Sequence, residues 1–79
     1  MARVAWRNLT LWKQIGVFIR DTRKWRNLSH EQLASEANID VRLLKRMERG
    51  KTELVTLEDI FRIKSVLNVS IEELIPHVS

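Results

Sequence analysis

The sequence contains no cysteine and no tyrosine, and it has only one proline and two glycines. Without cysteine there is neither a disulfide framework nor a thiolate metal site, and nothing favours an oxidising compartment. The longest uninterrupted apolar runs are a few residues, too short for a membrane-spanning helix. Arg3 and Arg7 near the N-terminus are followed by no apolar signal core. We therefore expect a cytoplasmic protein with no membrane role.

Residues for catalysis or metal binding are also scarce. The two histidines, His30 and His77, are far apart in the sequence, and no glycine-rich phosphate loop is present. Ser29 is better placed as a helix cap than as a nucleophile. We expect no enzyme activity, no cofactor and no metal site.

Positive charge is present and unevenly distributed. The 79 residues predict one small globular domain with a net charge of +4. Residues 1–51 hold twelve Lys or Arg against five acids, whereas residues 52–79 hold two against five. A basic region beside an acidic remainder is the electrostatic footprint expected of a nucleic-acid binder. An anionic membrane surface would also attract this basic region. A membrane-surface role is less favoured, because the narrow apolar face of the basic helix is needed for the protein core.

The first predicted helix runs from Thr10, as N-cap, to Arg26. Its inward stripe has helical spacing and consists of Leu11, Ile15, Phe18, Ile19 and Thr22. Trp12 and Trp25 lie off the centre of that stripe, so they either bind a partner or cover the edge of the core. Residues 1–9 form a basic segment that is a disordered tail, a helix extension or an arm along DNA.

A pair of short helices follows, separated by a tight turn. Ser29 and Gln32 have the spacing of a capping box for a helix that ends near Ala37. Asp40 then caps the next helix, which leaves about three residues between the two. That length is typical of the turn in a helix-turn-helix unit, here at about residues 29–49.

The second helix of this pair is the most informative segment of the chain. Its basic residues recur at i, i+3, i+4 and i+7, which places them on one face about 100° wide. They are Arg42, Lys45, Arg46 and Arg49. Leu44 and Met47 point the other way, so a small core can hold the back of the helix while its front meets a polyanion. The alternative is that the charges only keep an exposed helix soluble.

Two more helices complete an all-α prediction. Gly50 stops the basic helix because it is free to take positive φ. Thr56 caps a fourth helix, whose buried side is predicted to be Leu57, Ile60, Ile63 and Leu67. Ser70 and Glu73 form another capping box, and Pro76 ends the last short helix, leaving residues 77–79 as a tail.

Five motifs in this order resemble the lambda-repressor-like, Cro-type (xenobiotic-response-element) family of helix-turn-helix regulators. They are I-G-x-x-I-R-x-x-R at 15–23, L-S-x-x-x-L-A at 28–34, E-R-G-K at 48–51, T-L-x-x-I-x-x-I at 56–63 and L-N-V-S-I-E-E-L at 67–74. The resemblance implies a compact five-helix DNA-binding domain over residues 10–76. It also implies a bacterial, phage or mobile-element origin.

Several positions depart from the family pattern. Asn27, Asn38 and Asn68 stand where the family usually has glycine, just past helix ends that need a left-handed residue. Asn is the non-glycine residue that best tolerates positive φ, so these changes support the alignment. His30 replaces the usual glutamine at the second position of the second helix. Lys64 stands where the family more often has a small residue on the fourth helix.

The resemblance assigns roles to particular residues. Arg23 and Glu48 match a family ion pair that supports the fold. The residues implied to contact bases are Val41, Arg42, Lys45 and Arg46, and those implied to contact phosphates are Ser29, His30, Arg49, Lys51 and Thr52. The simpler interpretation of Arg20, Lys24 and Arg26 is that they are solvated, with contact to the DNA backbone as the alternative.

A single domain of this kind reads only a few base pairs, and the family usually binds a palindromic operator as a dimer. The resemblance therefore implies double-stranded DNA and a second copy of the chain as partners, and repression as the role. Dimer candidates are Trp6, Trp12, Trp25 and residues 75–78. No small-molecule effector is expected. A protein-binding helical module, such as an antitoxin or accessory factor, is the alternative.

Overall fold

Five helices make up the computed structural model, which describes residues 9–51 and 55–74. They are α1 (Leu9–Trp25), α2 (His30–Ala37), α3 (Val41–Glu48), α4 (Leu57–Leu67) and α5 (Ile71–Leu74). No strand occurs in these two ranges. The predicted all-α fold with a helix-turn-helix formed by the second and third helices is confirmed. None of these helices is both long enough and apolar enough to cross a membrane.

Side-chain caps begin α2, α4 and α5 where the sequence predicts them. The Ser29 hydroxyl accepts a hydrogen bond from the Gln32 N–H at 3.0 Å, and the Gln32 side chain accepts from the Ser29 N–H at 2.7 Å. Thr56 forms the same reciprocal pair with Asp59, and so do Ser70 and Glu73. These bonds satisfy N–H groups that a helix start leaves without partners.

Left-handed residues terminate the helices. Asn27, Asn38 and Asn68 have φ values of 58°, 56° and 56°, and Gly50 has a φ of 77°. The Asn38 N–H bonds back to carbonyl groups of α2 and so closes that helix. The next helix, α3, begins three residues later. The three asparagines thus have the backbone conformation that their positions predict.

The core lies between two pairs of packed helices. α1 contacts α3, α2 contacts α4, and α2 and α3 pack on each other. Each of these four helices contributes at least one completely buried side chain, and these are Ile19, Leu33, Leu44, and both Ile63 and Leu67 of α4. The helix-turn-helix unit is therefore held from both sides, by α1 at one side and by α4 at the other.

Gly16 marks the closest approach of α1 to α3. A Cβ atom built on Gly16 would overlap the carbonyl oxygen of Met47 and lie 2.7 Å from that of Glu48. The last turn of α3 therefore meets the backbone of α1 directly, and only glycine leaves room for it.

Two expectations about individual residues, those for Thr10 and Leu57, are wrong, and the alternatives left open for Trp12 are decided. Thr10 is not an N-cap, because α1 already includes Leu9. Trp12 is only 6% exposed and belongs to the core, which favours core packing over partner binding for this residue. Leu57 is 57% exposed because it is the first residue of α4, a full turn before the buried Ile60.

Some predictions lie outside the described residues. They concern the basic segment of residues 1–9 apart from Leu9, the phosphate contact at Thr52, and residues 75–79 with Pro76 and the C-terminal dimer candidates.

Candidate nucleic-acid interface

α3 presents its basic row to the outside. Arg42, Lys45, Arg46 and Arg49 are all exposed, whereas Leu44 and Met47 are buried beneath them. Asp40 caps the start of the helix, and its carboxylate accepts a hydrogen bond from the Arg42 N–H at 2.7 Å. The orientation that the helical spacing predicts is therefore the one that the packing imposes.

The first turn of α3 carries a highly exposed arginine. The Arg42 side chain is 86% exposed, and its Nε lies 3.5 Å from Asp40 Oδ1. The backbone N–H of Arg42, and then its side chain, hold the pKa of Asp40 below the ordinary value of 3.8. Val41 is half-buried against the core and shows only part of its side chain. Arg42 can thus exchange an exposed, weak ion pair for another ligand at little cost.

A buried ion pair fixes the far end of α3. Arg23 of α1 donates from Nε to Glu48 Oε2 at 2.7 Å and from Nη2 to Glu48 Oε1 at 3.2 Å. Its Nη1 donates to the Leu28 carbonyl at 2.9 Å. Both charged side chains are almost fully buried. The structure thus brings together the two residues that the resemblance assigns to an ion pair, and the same guanidinium also holds the segment leading to α2.

His30 lies beside the buried ion pair. Its Nε2 lies 3.0 Å from Glu48 Oε1, and its side chain is about one-third exposed. The imidazole therefore points to the buried carboxylate instead of projecting freely from the start of α2. Ser29, Arg49 and Lys51 are exposed.

Two residues of α1 also face this region. An open depression lies between α1 and α3, and Arg20 and Lys24 of α1 line it with Arg23, His30, Lys45, Glu48 and Arg49. The spacing in the sequence places Arg20, Arg23 and Lys24 on one face of α1, since they recur at i, i+3 and i+4. It could not show that this side of α1 lies beside the basic row of α3.

Known proteins share the family and the fold of this chain. The family model of the helix-turn-helix domain matches residues 14–77, about four-fifths of the chain. The chain belongs to the helix-turn-helix family. It is a DNA-binding regulator of all-α structure, as its motifs predict.

One solved structure is similar to this helix-turn-helix protein in both sequence and fold. It is the restriction-modification controller protein C.AhdI from Aeromonas hydrophila, with 28% sequence identity and a TM-score of 0.73. The match covers 80% of this chain and 94% of the controller. No curated protein matches the sequence.

Within residues 9–51 and 55–74, no group of three or more His, Cys, Asp or Glu side chains is arranged to hold a metal ion. The single buried carboxylate of the region, Glu48, is occupied by Arg23 and His30. The basic surface of α3 therefore lies beside a buried carboxylate whose charge is already paired with that of Arg23.

Proposed function

We propose that this helix-turn-helix protein is a small transcriptional repressor that reads double-stranded DNA with α3 in the major groove. The observation that carries the proposal is the outward basic row of α3, fixed by the burial of Leu44 and Met47. A helix about 10–12 Å in diameter fits the major groove, which is about 12 Å wide. The protein would act in the cytoplasm, with no catalytic role, cofactor or small-molecule effector.

Base reading is assigned to the first two turns of α3. Arg42 is the leading reader because a guanidinium can donate to O6 and N7 of one guanine together. Arg46 lies one turn later on the same face, and Lys45 reaches either a base or the backbone. Val41 offers its half-buried methyl groups to a thymine methyl.

Phosphate contacts surround this reading surface. Arg49 and Lys51 lie at the end of α3, and Thr52 is assigned to the following loop. At the other side, the start of α2 offers unbonded backbone N–H groups beside Ser29 and His30. The contact of the His30 ring with Glu48 supports this end of α2, and the phosphate contact proposed for His30 is made by its backbone N–H.

We propose a homodimer on a palindromic operator, because one domain contacts too few base pairs for specific binding. Burial of Trp12 removes it from the dimer candidates, and Trp25 remains at 86% exposed. Leu57 and Phe61 are a further apolar pair, one turn apart on α4 and each more than half exposed. Sedimentation of Leu57→Lys and Trp25→Lys variants tests which surface pairs, because only one substitution should produce a monomer.

Similarity to a restriction-modification controller protein supports a regulatory role for this chain. The direct test is selection of binding sites from random duplex DNA, followed by affinity measurements over a range of salt concentrations. Log affinity should fall with log salt by about 0.9 for each phosphate contact. Arg42→Ala should relax the preference at one base pair by roughly 1–3 kcal/mol, whereas Arg49→Ala should weaken all sequences alike.

A protein-binding module is the second candidate, favoured by the exposed apolar side chains of Trp25, Leu57 and Phe61. Salt separates the two proposals. A flat salt response, together with no enriched sequence in the selection, would favour the protein partner over DNA.

A further inference from the structure

Most of the side chains that line the depression between α1 and α3 are cationic. Seven charged or ionisable side chains line it, and Glu48 is the single carboxylate among them. Arg23 neutralises that carboxylate through two hydrogen bonds, so the floor of the depression carries no net charge from this pair. The floor of the depression therefore offers no free carboxylate to neutralise the other cationic side chains that line it.

The cations at the rim are poorly compensated from the side as well. Within residues 9–51 and 55–74, Lys24, Lys45 and Arg49 have no ion pair. Arg20 lies 3.4 Å from Asp21 Oδ1, but both side chains are exposed, and such a pair contributes little. Four cationic side chains from two helices thus converge on one open concave surface, which raises the local concentration of anions.

The depression is continuous with the proposed DNA surface. Lys45 and Arg49 belong both to its rim and to the basic row of α3. A nucleic-acid strand that follows the row toward the end of α3 therefore reaches Arg20 and Lys24 next. An open surface bounded on both sides by cations suits a backbone that passes across it, whereas a small ligand is usually enclosed by mostly apolar walls.

We propose that Arg20 and Lys24 of α1 are DNA-backbone contacts and that a phosphate of the bound strand sits in this depression. The inference rests on the proposed DNA-binding function and adds a helix outside the helix-turn-helix unit to the interface. Arg20 and Lys24 would fix the position of α1 on the duplex and carry no sequence information.

The test compares single variants that each remove one positive charge. Lys24→Gln and Arg20→Gln change exposed side chains and should fold normally. The control is Lys64→Gln on α4, which removes the same charge outside the depression. Affinity for the selected DNA and for a random duplex is measured by fluorescence anisotropy over a range of salt concentrations.

Each of the two α1 variants should reduce the salt slope by about 0.9 and weaken binding roughly eightfold near 0.1 M salt, equally for both duplexes. Lys64→Gln should leave the slope unchanged. If the α1 variants behave like Lys64→Gln while the wild-type protein binds DNA with a steep salt slope, the inference is wrong and the proposed function stands. If the wild-type protein shows no salt-dependent DNA binding, the proposed function itself fails.

Free phosphate is the other source of the same chemistry, and a separate measurement distinguishes it. Inorganic phosphate is titrated into the DNA-free protein while backbone amide shifts are followed by NMR, with chloride at equal ionic strength as the reference. Saturable, submillimolar binding at the depression that Lys24→Gln abolishes, combined with an unchanged DNA salt slope in that variant, would assign the site to a free anion and overturn the inference.

Discussion

The helix-turn-helix unit is held from two sides by different kinds of interaction. On the α1 side, backbone meets backbone at Gly16, and a buried guanidinium bonds to a buried carboxylate. On the α4 side, apolar packing by Ile60, Ile63 and Leu67 is accompanied by an exposed polar link. In that link Arg62 donates to the Asn38 carbonyl at 3.1 Å and to Glu58 at 3.2 Å.

The difference shows where specific geometry is required. The α1 side positions the last turn of α3, and buried charges there must be matched because an unmatched charge is costly. The α4 side needs only apolar volume, and its polar link is exchangeable with water. Substitution of Gly16 or of the buried ion pair on the α1 side should therefore be more damaging than substitution of the exposed polar link on the α4 side, and the following predictions run from the largest effect to the smallest.

Arg23→Ala should have the largest effect, roughly 3–5 kcal/mol, because it leaves Glu48 charged and buried without its main partner. The melting temperature should fall sharply, as measured by circular dichroism. Arg42→Ala is the control, since it removes an exposed arginine whose ion pair is weak. Equal melting temperatures for the two variants would contradict the structural importance of the buried pair.

Gly16→Ala should destabilise the fold by roughly 1–3 kcal/mol, the usual cost of overpacking a tight contact. The added methyl meets main-chain carbonyls of Met47 and Glu48 that cannot rotate away. Alanine is otherwise the better helix former by about 1 kcal/mol, so stabilisation in a urea titration would show that α1 and α3 do not touch there. Val17→Ala, at the exposed neighbouring position, is the matched control.

Arg62→Ala should cost less than about 1 kcal/mol, because its ion pair with Glu58 is exposed to solvent. Urea unfolding at low and high salt measures the change, which should shrink as salt increases. A loss comparable to that of Arg23→Ala would mean that the two sides of the unit do not differ as described.

Asp40→Asn should have the smallest effect, seen only in acid. Hydrogen bonding lowers the pKa of Asp40 in the folded protein, so its stabilising contribution is present above the ordinary value of 3.8 and is lost as the pH falls through the folded value. Asparagine is also a good N-cap, so stability at neutral pH should be nearly unchanged. A urea midpoint series in acid should show a shallower pH dependence for the variant, and an identical slope would contradict this assignment.

Local chemistry made much of this fold predictable from the sequence. The capping pairs and the left-handed asparagines are decided within a few residues, and so is the outward row of α3. Leu57 was misjudged, and the alternatives for Trp12 stayed open, because burial depends on which helices lie beside a residue and on how far a helix extends past its neighbours. For the same reason the sequence left Arg20 and Lys24 between solvent and the DNA backbone, although it placed the residues of the α3 row on one face.

The outward row of α3 contributes no side chain to the buried core. Arg42, Lys45, Arg46 and Arg49 can therefore be exchanged as a set while the scaffold beneath them stays the same. Descendants of one ancestral gene could acquire new target sites by changes in these codons alone, with folding left under separate selection.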